Sequence, residues 1–207
     1  MEANLGLYFW LTEWNKAPSL YIGPALLIGF YLYAVGPLRR KYQLADSIKG
    51  SQIAAFVIGV LIIFLALASP LDELGDEYLF SAHMVQHLLI TVVGPPLMLL
   101  GTPGWLIKPL LRNRYVLLIA KFLVSPVVAF LLYNGNFWLW HAPPLYNATL
   151  ANENLHIVEH MTFMITAFLS WWPIFGSLDE ELPRPSLGVR CSISSSMACL
   201  LCSWVPV

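Results

Sequence analysis

Uncharged runs constrain this chain more than any motif does. Residues 18–38 and 51–71 are two stretches of 21 residues each without a formal charge. Residues 78–107 make a third run of 30, interrupted at Pro95-Pro96 and again at Gly101-Thr102-Pro103-Gly104. A fourth covers 122–140 and is expected to begin near Tyr115, with Lys121 reaching back to the headgroups. The fifth covers 160–178, with its helix starting near Asn154. About 20 residues at 1.5 Å per residue cross a hydrocarbon layer of about 30 Å. Backbone amides in lipid must be paired within their own segment, so these runs are expected to be helices. The expected fold is therefore an all-α polytopic transmembrane bundle of about five spans within residues 1–178, with 179–207 as an atypical tail. Only 11% of the residues are charged, against roughly 25% in soluble domains. A net charge of -1 with no arginine cluster excludes nucleic acid as an expected partner and leaves membrane lipid as the solvent. Nothing in the chain sets an oligomeric state.

Basic residues give the orientation. Arg39, Arg40, Lys41 and Lys49 separate the first two runs, Lys108, Arg112, Arg114 and Lys121 lie between or beside the third and fourth, and Arg184 and Arg190 follow the fifth. Ten of the 11 Lys and Arg therefore fall on one face, with Lys16 on the other. The positive-inside rule makes the first face cytoplasmic and places the N-terminus outside, in a cell membrane. Glu2, Glu13, Asp72, Glu73, Asp76, Glu77, Glu153 and Glu159 then lie on the outer side. The opening residues are acidic and lack a basic n-region, so they are expected to be a short interfacial segment rather than a cleavable signal peptide.

All five histidines fall at the same, non-cytoplasmic ends of the runs. His83 and His87, in HMVQH, stand at i,i+4 at the start of the third span. His156 and His160, in HIVEH, repeat that spacing at the start of the fifth, and His141 ends the fourth before Pro143-Pro144. Residues at i,i+4 project from one helical stripe about 6 Å apart, so each pair offers two nitrogens to one ion. Imidazole suits copper, zinc, iron and nickel. Met84 and Met161 each follow a histidine and could add a thioether that favours Cu(I), although each lies about a hundred degrees round the helix from that histidine. Gln86 and Glu159 are natural partners for fixing an imidazole tautomer. Against this stands the ordinary reading that a histidine near the interface is simply a polar boundary residue. The FWLW run and Trp171-Trp172 are read as interfacial belts or helix packing.

Other chemistries share these residues. HIVEH matches H-x-x-E-H, in which His156 and His160 would bind zinc and Glu159 would act as base in a membrane hydrolase. Histidines from facing helices could also hold haem in an electron carrier. Cys191, Cys199 and Cys202 all lie in the last 17 residues, across the membrane from the histidines, and an odd count excludes complete internal pairing. They are not expected to share the histidine site.

The stretches FSAHMVQHLLITVVGPPLMLLGTPGW and FWLWHAPPLYNATLANENLHIVEHMTFMITAFLSWWPIFG resemble the CtaG family. These are membrane assembly factors for caa(3)-type cytochrome c oxidase, a haem–copper oxidase. The resemblance covers residues 69–176 and rests on HMVQHLL, the double proline, WHAPPLY and HxxEH in that order. It implies oxidase maturation by copper delivery on the outer face, without catalysis. The implied copper-handling residues are His83, His87, His141, His156 and His160, and the implied partner is a cytochrome c oxidase subunit, with a chaperone-like role. The family continues through about two further hydrophobic spans, whereas SLGVRCSISSSMACLLCSWVPV does not resemble them. Truncation or a shifted reading frame is the expected reason.

The orientation is tested by a reporter that is active only outside the cytoplasm. It should be active when fused within residues 72–77 and silent when fused near Arg112. The reverse pattern would place the histidines inside.

Overall fold

The computed structural model describes residues 6–45, 47–178, 181–182, 185–186, 188–191 and 195. Most of the expected atypical tail, with Cys199 and Cys202, lies outside the described residues. Every regular element among them is helical. Helix α1 is Leu7–Thr12, α2 is Pro18–Tyr42, α3 is Gly50–Ala68 and α4 is Phe80–Gly101. After a short 3-10 segment, Lys108–Arg112, come α5 (Arg114–Leu123) and α6 (Pro126–Trp140). Two further helices, α7 (Pro143–Ala151) and α8 (Glu153–Phe175), complete the described bundle.

Three of these helices, α2, α3 and α4, are long and apolar enough to cross a membrane. The pair α5 and α6 adds a fourth if it is one broken span, bent by 66°. The expected fourth span therefore does not run straight from Tyr115. Pro126 opens α6 without an N–H to donate, and the residue before a proline avoids helical backbone, so the chain breaks at Val124-Ser125. No residue of α5 is buried. Tyr115, Leu118, Ile119 and Phe122 are exposed on a helix that also carries Arg114 and Lys121, the make-up of a helix lying along a membrane surface. The expected fifth span corresponds to α8. Its 23 residues reach about 34 Å, long enough to cross, but its histidines, Glu159 and hydroxyl side chains lower its hydropathy below that of α2 to α4. The helix packs against α4 and α6 and buries Glu159, His160 and Ser170.

The most extensive helix contact joins α3 to α4. Lipid supplies no hydrophobic drive between apolar helices, so close backbone approach through small residues has to supply the packing. Gly101 provides it: a Cβ there would lie 2.5 Å from the Phe56 nitrogen and 2.6 Å from the Gln52 carbonyl oxygen. Tyr31 of α2 closes the same junction. Its ring stacks on Phe56 at 3.8 Å between centroids, and its hydroxyl donates to the Gly101 carbonyl at 2.6 Å. Around this point Tyr31, Val35, Phe56, Val60 and Met98 form one apolar cluster. Leu99, Tyr133, Ala167 and Trp171 form a second between α4, α6 and α8. At the histidine end the segment after α1 is tied down by Asn15, whose backbone N–H donates to the Ala68 carbonyl at 3.0 Å. At the opposite, basic end, Lys108 pairs with Glu181 at 2.8 Å, which holds the Glu181 carboxyl below its ordinary range.

Gly101→Val should lower the thermal midpoint in detergent by the equivalent of about 1–3 kcal/mol of overpacking. Gly23→Ala, where nothing lies within 4 Å of the added carbon, should leave it unchanged or slightly raised. Equal midpoints for the two variants would contradict the close approach of α3 and α4.

Candidate metal centre

The centre starts from the first two turns of α4. His83 and His87 share one stripe of that helix and are 2% and 1% exposed. Their Nε2 atoms lie 2.7 Å apart, so one ring donates to the lone pair of the other. His87 Nδ1 is buried and has no hydrogen-bond partner among the described residues. Two neighbours fix the height of this turn. Gly75, in the π-type turn Leu74–Tyr78, presses on it so closely that a Cβ would lie 2.9 Å from the His83 Cα. Gln86 Nε2 donates to Asp72 Oδ1 at 2.5 Å and to the Ala66 carbonyl at 3.1 Å, while Asn15 Nδ2 donates to Asp72 Oδ2 at 3.2 Å.

Below the histidines, α4 widens into a π-type turn at Leu89–Val93 and meets Pro95-Pro96. Neither proline has an N–H, so the Thr91 carbonyl loses both its α-type and its π-type donor. Trp171 of α8 replaces them: its indole N–H donates to the Thr91 carbonyl at 2.7 Å. The Thr91 hydroxyl in turn donates to the His87 carbonyl at 2.6 Å. The proline pair thus leaves a vacancy in the α4 ladder that α8 fills from one turn below His87.

Helix α8 brings the second set of groups. Asn152 caps it, its Oδ1 accepting from the N–H groups of Asn154 and Leu155 at 3.0 and 3.2 Å, which puts His156 in the first turn. Glu159 is 1% exposed. One of its carboxylate oxygens and a ring nitrogen from each of His83 and His87 all lie within 4.8 Å of one another. His160 is 7% exposed, and its buried Nε2 has no hydrogen-bond partner among the described residues. The third contributor is the end of α6. Here the His141 Nδ1–H donates to the Phe137 carbonyl at 2.9 Å, since a carbonyl can only accept, and the lone pair is left on Nε2. Trp140 locks α6 to α8 by donating to Thr162 Oγ1 at 2.8 Å.

The structure therefore brings the five predicted histidines into one neighbourhood. Ring centroids are 4.3 Å apart for His83 and His87 and for His156 and His160, 5.3 Å for His87 and His160, 5.8 Å for His87 and His141, and 6.2 Å for His83 and His156. The tight group within it is His83, His87 and Glu159. The sequence offers Glu159 as a partner fixing a tautomer or as the base of a zinc hydrolase, and its carboxylate stands among the potential ligand atoms. Its place one residue before His160 turns it about a hundred degrees round α8 from that histidine, and the packing of α8 against α4 then carries it to His83 and His87. Gln86 holds Asp72 rather than an imidazole. Met84 is packed with Phe137, Trp140 and Phe163 in an apolar cluster, which accounts for it without a ligand role.

A multi-pass helical membrane protein with a buried group of imidazoles and one carboxylate is the class that this fold and site define. The family model for cytochrome c oxidase caa3 assembly factors (Caa3_CtaG) matches residues 29–200, and the chain belongs to that family. The uncharacterized protein Mb0105 of Mycobacterium bovis is 26% identical over 200 residues, a match covering 84% of this chain and 28% of that protein. The uncharacterized protein ML1998 of Mycobacterium leprae is 23% identical over 180 residues, covering 80% of this chain and 27% of its own length. The chain thus spans just over a quarter of the length of these relatives. No solved structure matches it.

Trp171→Phe removes the donor to the Thr91 carbonyl while keeping an aromatic ring. It should destabilise the protein by about 1–3 kcal/mol, read as a lower thermal midpoint in detergent. An unchanged midpoint would mean that the carbonyl finds another donor and that α8 does not pin α4 in this way.

Proposed function

We propose that this chain assists assembly of a caa3-type haem–copper oxidase by binding copper on the extracytoplasmic side and passing it to an oxidase subunit. In this reading the bundle has five spans with the N-terminus outside, α8 being the fifth and packing against α4 and α6. The single observation that carries the reading is the group His83, His87 and Glu159: three potential ligand atoms from two helices, all buried and mutually within 4.8 Å. Ligands of one ion bound at about 2.0–2.2 Å stand about 3–4 Å apart, so small side-chain adjustments suffice. Two buried ring nitrogens, His87 Nδ1 and His160 Nε2, make no hydrogen bond among the described residues. Polar atoms left in that state inside a protein call for an explanation, and ligation through these rings supplies one.

Copper is cargo here rather than a resident cofactor. Imidazole accepts both common copper states, and a buried carboxylate offsets the charge of the ion. His141, His156 and His160 surround the inner group, so the site offers more nitrogen donors than one ion needs. Such a surplus lets an ion exchange ligands stepwise instead of being sealed in. The position of Glu159 beside histidines of another helix favours a ligand role over that of a hydrolytic base, and no reaction is catalysed on this reading. Copper handling also accounts for the donor set without haem, whose characteristic absorption would be the first sign of the electron-carrier alternative.

The test uses the full chain purified in detergent and measures copper per protein together with the absorption spectrum. His87→Ala and Glu159→Gln should each weaken copper binding by about tenfold or more. The His87→Ala, His160→Ala double variant should be little worse than the more damaging single variant, because groups acting as one unit are not additive. Full copper occupancy in folded His87→Ala and Glu159→Gln proteins would contradict the proposal.

A further inference from the structure

The inner group is almost sealed from water, and a cargo site needs a way in and out. Between the segment leading into α2, the end of α3 and one face of α8 lies a groove of about 430 Å³. Glu73 and Glu153 stand exposed along it, with Asp72 half-buried beside them, and among the described residues no lysine or arginine lines it. The α8 wall continues through half-buried His156 to buried His160, with the thioethers of Met161 and Met164 on the same face. Residues 153, 156, 160, 161 and 164 recur at helical spacing, so one stripe of α8 runs the length of this wall.

His160 belongs to both spaces. It lines the groove, it is 7% exposed, and its Nε2 has no hydrogen-bond partner among the described residues. Its ring centroid is 4.3 Å from that of His156 and 5.3 Å from that of His87. A continuous series of donors therefore leads from exposed carboxylates to the inner group. Carboxylates raise the local concentration of a cation. Thioethers and imidazoles then select a soft one.

We propose that this groove is the port by which Cu(I) enters and leaves the buried centre, passing from the acidic rim to His156 and His160 by ligand exchange, with Met161 and Met164 as thioether donors on the same wall. The proposal rests on the copper-binding reading above. No redox change is needed: each step forms one metal–donor bond as another breaks.

Blocking the groove separates rate from affinity. In full-length protein carrying Cys191→Ser, Cys199→Ser and Cys202→Ser, a single Ile157→Cys on the groove wall is labelled with a bulky methanethiosulfonate reagent. Val127→Cys, exposed on α6 away from the groove, is labelled as the control. Leu20→Cys on the facing wall is a second groove position should the Ile157 variant fail to fold. Cu(I) uptake from a chromophoric chelator is followed in time and to equilibrium. Labelling at a groove position should slow uptake several-fold and leave final occupancy unchanged, and labelling at residue 127 should change neither. Met161→Leu with Met164→Leu should likewise slow Cu(I) uptake without lowering final occupancy. Equal uptake rates with labelling verified as complete by mass would overturn the port while leaving the copper site standing. Failure of the unlabelled protein to bind copper at equilibrium would overturn the copper reading, and the port with it.

Discussion

The constraint that weighs most on this bundle is the burial of three ionisable groups where α4 meets α8: His83 and His87, whose ring nitrogens lie 2.7 Å apart, and the Glu159 carboxylate beside them. Burying polar and ionisable groups away from water is costly unless they satisfy one another. Inside a membrane bundle no solvent is at hand to relieve a misplaced one. Each helix that brings a group to this point is accordingly fixed by specific polar contacts as well as by apolar packing. Helix α4 is held by Gln86 on Asp72 and by the Trp171 indole of α8 on the Thr91 carbonyl. Helix α6 is held by Trp140 on Thr162 of α8. The centre is thus a junction of three helices whose neighbouring contacts are themselves hydrogen-bonded.

Backbone irregularity serves the same end. A continuous α-helix would satisfy every carbonyl of α4 internally and leave no reason for α8 to sit at one height. The Pro95-Pro96 pair removes two donors, and the Trp171 indole supplies the replacement at 2.7 Å. Gly101 and Gly75 act in a complementary way, by allowing backbones to approach where a side chain would hold them apart. Register along α4 is therefore set from above by Gly75 and Asp72 and from below by Trp171, and the two imidazoles lie between these stops.

Much of this was legible in the sequence because lipid imposes simple rules. Uncharged runs marked α2, α3 and α4 to within a few residues, and i,i+4 spacing placed each histidine pair on one stripe. The fourth run was misread as straight because absence of charge does not report a bend, whereas Ser125-Pro126 does. The fifth run corresponds to α8, whose histidines, Glu159 and hydroxyls hold its hydropathy below that of α2 to α4. Glu159 itself was harder to place. Whether it turns towards its own histidine pair or towards another helix depends on the rotation of α8, which Trp171 and Thr162 fix through tertiary contacts. Met84 shows the converse: adjacency to a histidine in sequence put it on another stripe, among Phe137, Trp140 and Phe163.

On the proposed function, the buried imidazoles and carboxylate form a copper site made of nitrogen and oxygen donors. X-ray absorption spectroscopy at the copper edge of the copper-loaded, detergent-solubilised full chain tests it most directly. The expected spectrum shows a first shell of nitrogen and oxygen with the outer-shell scattering of imidazole, lost in large part in the His83→Ala, His87→Ala double variant. A first shell dominated by sulfur, or an unaltered spectrum in that variant, would contradict it.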